Sequence, residues 1–470
     1  MLPLSLSRIA ELTGTRLRDA PDPGALVTAP AVIDSRQAGP GSLFVALPGE
    51  RVDGHDFAAA AVAAGATAVL SERPVGVPAL VAEPGGAVPA LGRLARAVLD
   101  DLPDTTVVGV TGSAGKTSTK DMLGALCERL GTTIAPPGSF NNEIGHPLTV
   151  LRAEPGTRYL VLEVSARGIG HIAYLCGIAP PRIGVVLNVG TAHLGEFGSR
   201  DAIARAKGEL VEALPSAGDG GVAVLNADDP LVSGMAARTS ARIVWFGQGE
   251  AADVRATGVT LDGSGRAAFT LTTREGAAPV RLGVRGGAQV SNALAAAAVA
   301  RELGMPVDDI ARALGEIDTI SRWRMEVTER GDGVTIVNDA YNSNPDSVRA
   351  ALDTLRVMAG RGRAIAVLGE MAELGPQSEI EHERVGAHAV AGGVATLIAV
   401  GDGAAPILAG AKSAPGWAGE AIGVPDAAAA ADLLRDRLGP GDVVLVKGSR
   451  VTGLERVAQA LAAAAQGGQA

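Results

Sequence analysis

Apolar residues fall in short unbroken runs along this chain, separated by stretches with helical spacing. SLFVALPG (Ser42–Gly49) reads as a buried strand ending in a Pro-Gly turn, FAAAAVAAGA (Phe57–Ala66) as a helix closed by Gly65, and TAVLSE (Thr67–Glu72) as the next strand. A Pro/Gly-rich patch, EPGGAVP (Glu83–Pro89), precedes a helix over Ala90–Leu99, and the acidic DDLPD (Asp100–Asp104) reads as a linker. Strands TTVVGV (Thr105–Val110), YLVLEV (Tyr159–Val164), IGVVLNV (Ile183–Val189), GVAVLN (Gly221–Asn226) and RIVWFG (Arg242–Gly247) follow, with helical stretches between several of them. Continuous apolar strands alternating with helices predict a parallel sheet covered on both faces. From Val254 to Val284 the pattern turns to polar alternation with Gly turns, as in a small antiparallel appendage, and SNALAAAAVARELG (Ser291–Gly304) returns to helix. After Ile320 a second alternating series predicts another open sheet: VTIVND (Val334–Asp339), RAIAVLG (Arg363–Gly369), ATLIAVG (Ala395–Gly401) and DVVLVKG (Asp442–Gly448).

The expected architecture is therefore α/β in three domains: a small unit over 1–104, a central parallel-sheet unit over 105–319 and a Rossmann-like unit over 320–470. A length of 470 residues fits that number at about 150 residues per domain. With 47% hydrophobic and 20% charged residues the chain is not of the disordered class, and with only 3% aromatics its cores must be filled by Ala, Val, Leu and Ile. A net charge of -10 speaks against a nucleic-acid partner or an anionic membrane surface, so any anionic ligand must be held by local cations, metal ions or helix ends. Cys127 and Cys176 sit in apolar surroundings and are expected to be free buried thiols, as in a reducing compartment. The N-terminus carries no basic region followed by a long apolar run, and no stretch reaches the roughly 20 apolar residues of a bilayer span; a cytoplasmic protein without membrane insertion is expected.

The strongest chemical signal is VTGSAGKTS (Val110–Ser118), which follows an apolar strand and opens a helix. Gly112 and Gly115 allow a turn whose amides, with those of Ser113, Ala114 and Ser118, point inward toward phosphate oxygens. Lys116 would neutralise the terminal phosphates and Thr117 would ligate Mg²⁺. The longer form of this pattern has a further Gly where Val110 stands, so a shorter T-G-x-x-G-K-T version is present. Glu163 ends a strand where a carboxylate can face such a loop. His193 and Lys207 taken alone are an ordinary loop histidine and helix lysine.

Assembled, these segments resemble the Mur ligases. The resemblance runs through DSR (Asp34–Arg36), GSLFVALPGERVDGHDF (Gly41–Phe57), TGSAGKTS, GSFNNEIGHPLTVL (Gly138–Leu151), LNVGTAHLGEFGS (Leu187–Ser199), AKGEL (Ala206–Leu210), SNALAA (Ser291–Ala296), NDAYNSNPDSV (Asn338–Val348), GEMAELG (Gly369–Gly375) and VKGSR (Val446–Arg450). NNEIG and GEMAELG point to the dipeptide-adding branch, and the Asn-Pro-Arg motif of the tripeptide-forming branch is not found. The resemblance implies ATP and two Mg²⁺ ions as cofactors, with a UDP-N-acetylmuramoyl-tripeptide and D-alanyl-D-alanine as substrates. Lys116 and Thr117 would hold ATP phosphates and the first Mg²⁺, with Glu163 as carboxylate ligand. His193 would look toward the second ion, and Lys207 matches the family lysine that is carbamylated. Asn292 would touch adenine, Arg324 the γ-phosphate, Asp339 the ribose, and Tyr341 would lie beside the nucleotide. Ser35, Arg36 and Asp53 would bind the uridine end, with Asn141, Asn142, Lys447 and Ser449 as further substrate contacts. Ser165 stands where the family often has Gly, and His146, where it often has a small apolar residue, is expected to have a surface role. Folylpolyglutamate synthase, which shares the phosphate loop, and a nucleotide-switched ATPase without ligation remain the rival readings. A monomer is expected.

Overall fold

The computed structural model describes residues 1–49, 52–136, 138–192, 194–318 and 321–463. Three large sheets organise it, beside a two-stranded antiparallel pair of Leu4–Ser5 with Leu26–Val27. The first has five strands in the order Arg16–Arg18, Ala79–Val81, Ala68–Ser71, Leu43–Val45, Ala31–Val32, parallel except at the Arg16–Arg18 edge. The central sheet has nine strands, in the order Gly276–Arg285, Arg266–Thr273, Val254–Leu261, Arg242–Gly247, Val222–Asn226, Ile183–Val186, Thr106–Thr111, Tyr159–Glu163, Thr133–Ile134. The third has six, in the order Glu326–Glu329, Thr335–Asn338, Val443–Lys447, Ala364–Gly369, Thr396–Val400, Glu420–Val424.

The structure departs from the sequence expectation in instructive ways. The antiparallel segment after Val254 is not a separate appendage. Phe246 and Gly247 pair in parallel with Val254 and Arg255, so the three antiparallel strands extend the central sheet. The helix expected to start at Ala90 spans Ala87–Asp100, because Pro89 fits the first turn, where its missing N–H costs nothing. The edge strands Thr133–Ile134 and Glu420–Val424 were not anticipated; one has two residues and the other exposes much of its surface, so neither carries a buried apolar run. Residues 319 and 320, the expected second boundary, lie outside the described residues.

The N-terminal unit is not an isolated module. Helix Ala87–Asp100 packs on helices Gly145–Val150 and His171–Ile178, and one apolar cluster runs from Leu43 and Leu70 through Leu91 and Leu94 to Leu148 and Ile178. At Gly92 a side chain would meet Ile178 Cδ1 at 3.1 Å and Tyr174 Oη at 3.2 Å, so glycine sets how closely the two units approach.

Helix Gln289–Glu302 answers the shortage of aromatics. Its residues Ala293–Ala300 are all buried between the central sheet and helix Lys116–Glu128, and a helix apolar all round belongs in a core. Small side chains let it lie close, and its polar first turn, with Gln289 and Asn292, ends at the phosphate loop. Both cysteines are buried, and burial pushes each thiol up to about 12. We therefore expect neither to react with a disulfide reagent in the folded chain and both to react after denaturation; rapid labelling of the native protein would contradict the packing around them. Among the described residues no helix is long and apolar enough to cross a membrane.

Candidate functional site

Strand Thr106–Thr111 pairs with Tyr159–Glu163 on one side and Ile183–Val186 on the other, so the chain leaves it at a point where successive strands go opposite ways. Ligands sit at the carboxyl end of such a strand. There the loop 112–115 leads into helix Lys116–Glu128, which has no side-chain cap, leaving its first-turn amides for a ligand. Gly115 has φ +85, and a Cβ there would collide with Asn292 Oδ1, so only glycine allows the loop and the Ala-rich helix to meet. The neighbouring strand's end staples the loop in place: Ser113 N donates to Asn188 O at 3.1 Å, Ala114 N to Asn188 Oδ1 at 2.9 Å, Asn188 Nδ2 to Ala114 O at 3.1 Å, and Gly190 N to Ser113 Oγ at 2.9 Å.

Lys116 Nζ donates to Gly112 O at 2.7 Å. Burial lowers its pKa; Glu163 opposes that and Arg324 adds to it. Glu163 is 1% exposed, with Oε2 accepting from Asn141 Nδ2 at 3.2 Å and Oε1 buried without a hydrogen-bond partner. Thr117 Oγ1 lies 3.0 Å from Ser139 Oγ and accepts from Arg324 Nη2 at 3.2 Å. A hydroxyl and one carboxylate with an unused buried oxygen are the hard donors that Mg²⁺ takes when phosphates complete its shell. Among the described residues no cluster of three or more His, Cys, Asp or Glu is arranged for a metal.

Lys207, on helix Arg200–Glu212, is 5% exposed and has no ion pair among the described residues. Burial, and then the charge of Lys116, hold its amine well below the ordinary lysine range. His193 lies outside the described residues. His146 is fully enclosed, and burial holds its imidazole down at about 4, so the expectation of a surface role is wrong.

The third sheet closes the site from the other side. Arg324 crosses the seam to Thr117 and stacks on Tyr341, its Cζ 4.3 Å from the ring centroid. Trp323 and Met325 on either side of it have φ of 60 and 52, an uncommon backbone for such residues. Asp339 accepts from Met325 N at 3.1 Å. Lys447, 2% exposed, donates to Asp339 Oδ2 at 2.6 Å and to Asn342 O at 2.9 Å. Burial lowers its pKa while Asp339 raises it. Lys447 is thus tied up under the Asp339–Asn342 turn. We expect Lys447→Met to cost about 3–5 kcal/mol by leaving a buried carboxylate unpaired. That would read as a lower denaturant midpoint, with partial recovery in the double variant carrying Asp339→Asn; an unshifted midpoint would show the pair is not structural.

Lys116, Thr117, Asn141, Asn142, Glu163, Asn292, Arg324, Asp339, Tyr341 and Lys447 line one cavity of about 940 Å³, at the upper end for a ligand site. Ser35, Arg36, Asp53, Gly112, Lys207 and Ser449 do not. Arg36 is bound to Asp34 through several hydrogen bonds, and that contact holds Asp34 down at about 2. Asp53 accepts from His55 N at 3.0 Å, from its Nδ1 at 2.6 Å and from Arg73 at 2.9 Å, and the His55 bonds keep it at about 2. Ser449 Oγ accepts from Ala372 N at 2.9 Å. Sequence reasoning missed Asn188, Arg285, Gln289 and Asp346, which also line the cavity; of these Asn188, in LNVGTAHLGEFGS, and Asp346, in NDAYNSNPDSV, lay within a motif.

Comparison with known proteins agrees with this geometry. Three family models match the chain: the Mur ligase family catalytic domain over residues 31–98, the Mur ligase middle domain over 110–300, and the Mur ligase glutamate ligase domain over 323–450. The UDP-N-acetylmuramoyl-tripeptide--D-alanyl-D-alanine ligase of Mycobacterium tuberculosis is 50% identical, covering 98% of both chains, and the Escherichia coli enzyme of that name is 36% identical over 98% of this chain and 99% of its own. The crystal structure of MurF from Acinetobacter baumannii superposes with a TM-score of 0.86 at 33% identity, covering 98% of this chain and 99% of that one. MurF from Thermotoga maritima, solved in complex with ADP, gives 0.81 at 33% identity over 94% and 99%. With its phosphate loop, its three sheets and matches over most of its length, this chain belongs to the Mur ligase family.

Proposed function

We propose that this protein is an ATP-dependent amide ligase joining D-alanyl-D-alanine to a UDP-N-acetylmuramoyl-tripeptide in peptidoglycan precursor synthesis, acting as a cytoplasmic monomer. The observation that carries the reading is the meeting, in one cavity, of the Lys116–Thr117 phosphate loop, Glu163 with a free buried oxygen, and Arg324 reaching in from another sheet. Relatives bearing the name of that reaction cover nearly the whole chain.

Amide formation from a carboxylate needs activation, because the carboxylate is a poor electrophile. The tripeptide's terminal carboxylate attacks the γ-phosphorus of ATP, the bond from the γ-phosphorus to the bridging oxygen breaks, and an acyl phosphate and ADP result. Two anions must approach; Lys116 and Arg324 offset that repulsion and take up charge developing on the phosphoryl oxygens. Helix 116–128 directs its free amides at the phosphates, while Asn292, Asp339 and Tyr341 hold the nucleoside end. Thr117 and Glu163 would hold one Mg²⁺, and carbamylated Lys207 with His193 a second; bound there, the ions supply Lewis-acid polarisation of phosphate oxygens. The dipeptide amine then attacks the acyl carbon, phosphate leaves with the acyl-oxygen bond, and the amine's proton goes to solvent or a base. Packing of the Arg324 segment over the loop keeps water from the acyl phosphate.

Purified protein with ATP, Mg²⁺, the UDP-linked tripeptide and D-alanyl-D-alanine should yield the UDP-linked pentapeptide by mass, with phosphate released only when both acceptor and donor are present. Phosphate release without either substrate would favour a nucleotide-driven switch instead.

A further inference from the structure

The turn that staples the phosphate loop is itself gripped from the third sheet. Asp346, in the first turn of helix Pro345–Ala359, accepts from Thr191 N at 3.2 Å, and its Oδ2 lies 3.4 Å from Thr191 Oγ1. The same oxygen sits so close to Gly190 that any side chain there would collide with it. Arg349 holds the other carboxylate oxygen at 2.7 Å and lies 3.5 Å from Glu381, so the Asp346 side chain is aimed at Thr191 by its own helix. A second grip lies nearby: Gly195 N donates to Glu373 O at 3.0 Å, and a Cβ on Gly195 would fall 2.7 Å from Gly375 N.

Behind Thr191 the path is short. Gly190 N donates to Ser113 Oγ, and Asn188 bonds both the N–H and the C=O of Ala114. Three residues of one turn therefore join the third sheet to the amides that face the phosphates. Leu187 N donates to Thr111 O in the central sheet, and Asn188–Thr191 is loop: Asn188 and Gly190 are held by the phosphate loop, Val189 by Asp229 Oδ2 at 2.8 Å and Arg200 Nη2 at 2.6 Å, and Thr191 by Asp346. Thr191 N has no other hydrogen-bond acceptor among the described residues.

We propose that Asp346 is a positioning residue that couples docking of the third sheet to the shape of the phosphate loop, through Thr191, Gly190 and Asn188. Its carboxylate is bonded to Thr191 and Arg349 and acts on the reaction through that turn. With the sheet docked, the turn is drawn into register and the loop amides converge. With it undocked, the Gly190–Thr191 end of the turn, beyond the anchors on Val189, slackens, and ATP can be bound but is poorly aligned for attack. The coupling makes phosphoryl transfer depend on the sheet that supplies Arg324, so activation occurs when the site is closed. The inference rests on the ligase reading for its kinetic consequence but not for the bridge itself.

The test uses the full-length chain and two variants. Asp346→Ala removes the acceptor; Asp346→Asn keeps an oxygen for the Thr191 amide. In Asp346→Ala, amide exchange in a peptide spanning 188–195 should speed up by about tenfold in the absence of any ligand. Its kcat should fall by about tenfold or more while the Kd for ADP stays within about threefold. Asp346→Asn should restore most of both. Unchanged exchange, faster exchange with unchanged kcat, or an ADP Kd that rises in step with the loss of kcat would each overturn the proposal. If the unsubstituted chain forms no amide, the ligase reading fails while the exchange measurement still decides whether the bridge exists.

Discussion

Lys116→Ala is expected to reduce amide formation by about 10³-fold or more while leaving the fold intact. The ammonium sits in the loop that faces the phosphates, and among the described residues it donates to Gly112 O alone. Burial already disfavours its charge, and Arg324 adds to the penalty, so the free protein holds this cation at some cost that a bound triphosphate relieves. Removing it therefore should not lower the melting temperature. Lys116→Arg should not restore the rate, because a planar fork cannot replace a point charge where the loop closes on Gly112. Phosphate release and product mass measure the effect, with calorimetry for residual ADP binding. Turnover within tenfold of the parent would remove Lys116 from the phosphates.

The second large effect is expected at Lys207. Its amine is buried, and burial with the charge of Lys116 holds it well below the ordinary lysine range, so it gives up its proton more readily than an ordinary lysine. The sign matters: a neutral amine is nucleophilic toward carbon dioxide, whereas an ammonium is not. Carbamylation would place an anion where Lys116 disfavours a second cation, which the site favours electrostatically. Lys207→Ala should lose about 10²-fold or more in rate, and short carboxylates should return part of it by standing in for the carbamate. In the unsubstituted protein, activity should fall on stripping bicarbonate and return on adding it. A Lys207→Ala variant with normal rate, or a lysine whose mass and activity ignore bicarbonate, would defeat the assignment.

The parts of this site that were readable without coordinates share one property: their meaning is local. The phosphate loop announces itself because a buried strand, two glycines and Lys-Thr at a helix start all lie between Thr106 and Thr117, and backbone sterics give that order few alternatives. Glu163 was readable as a strand end. By contrast, the partners that Arg36 and Asp53 take, Asp34 for the one and His55 and Arg73 for the other, were not readable, because nothing in a linear pattern says which charged neighbour a flexible side chain will choose. His146 is similar: a polar residue in a helix start reads as exposed, yet its helix is buried beneath the helix Ala87–Asp100.

From sequence alone came the succession of strands and helices, the phosphate loop and the family pattern, because period, turn chemistry and motif spacing act over a few residues. Tertiary structure alone decided that the antiparallel strands continue the central sheet, that Lys447 closes on Asp339, that Arg324 reaches Thr117, and that Asp346 grips Thr191. Those contacts join residues 108, 207 and 155 positions apart in three of these cases. Their geometry follows from how sheets and helices pack, and packing is a property of the whole folded chain.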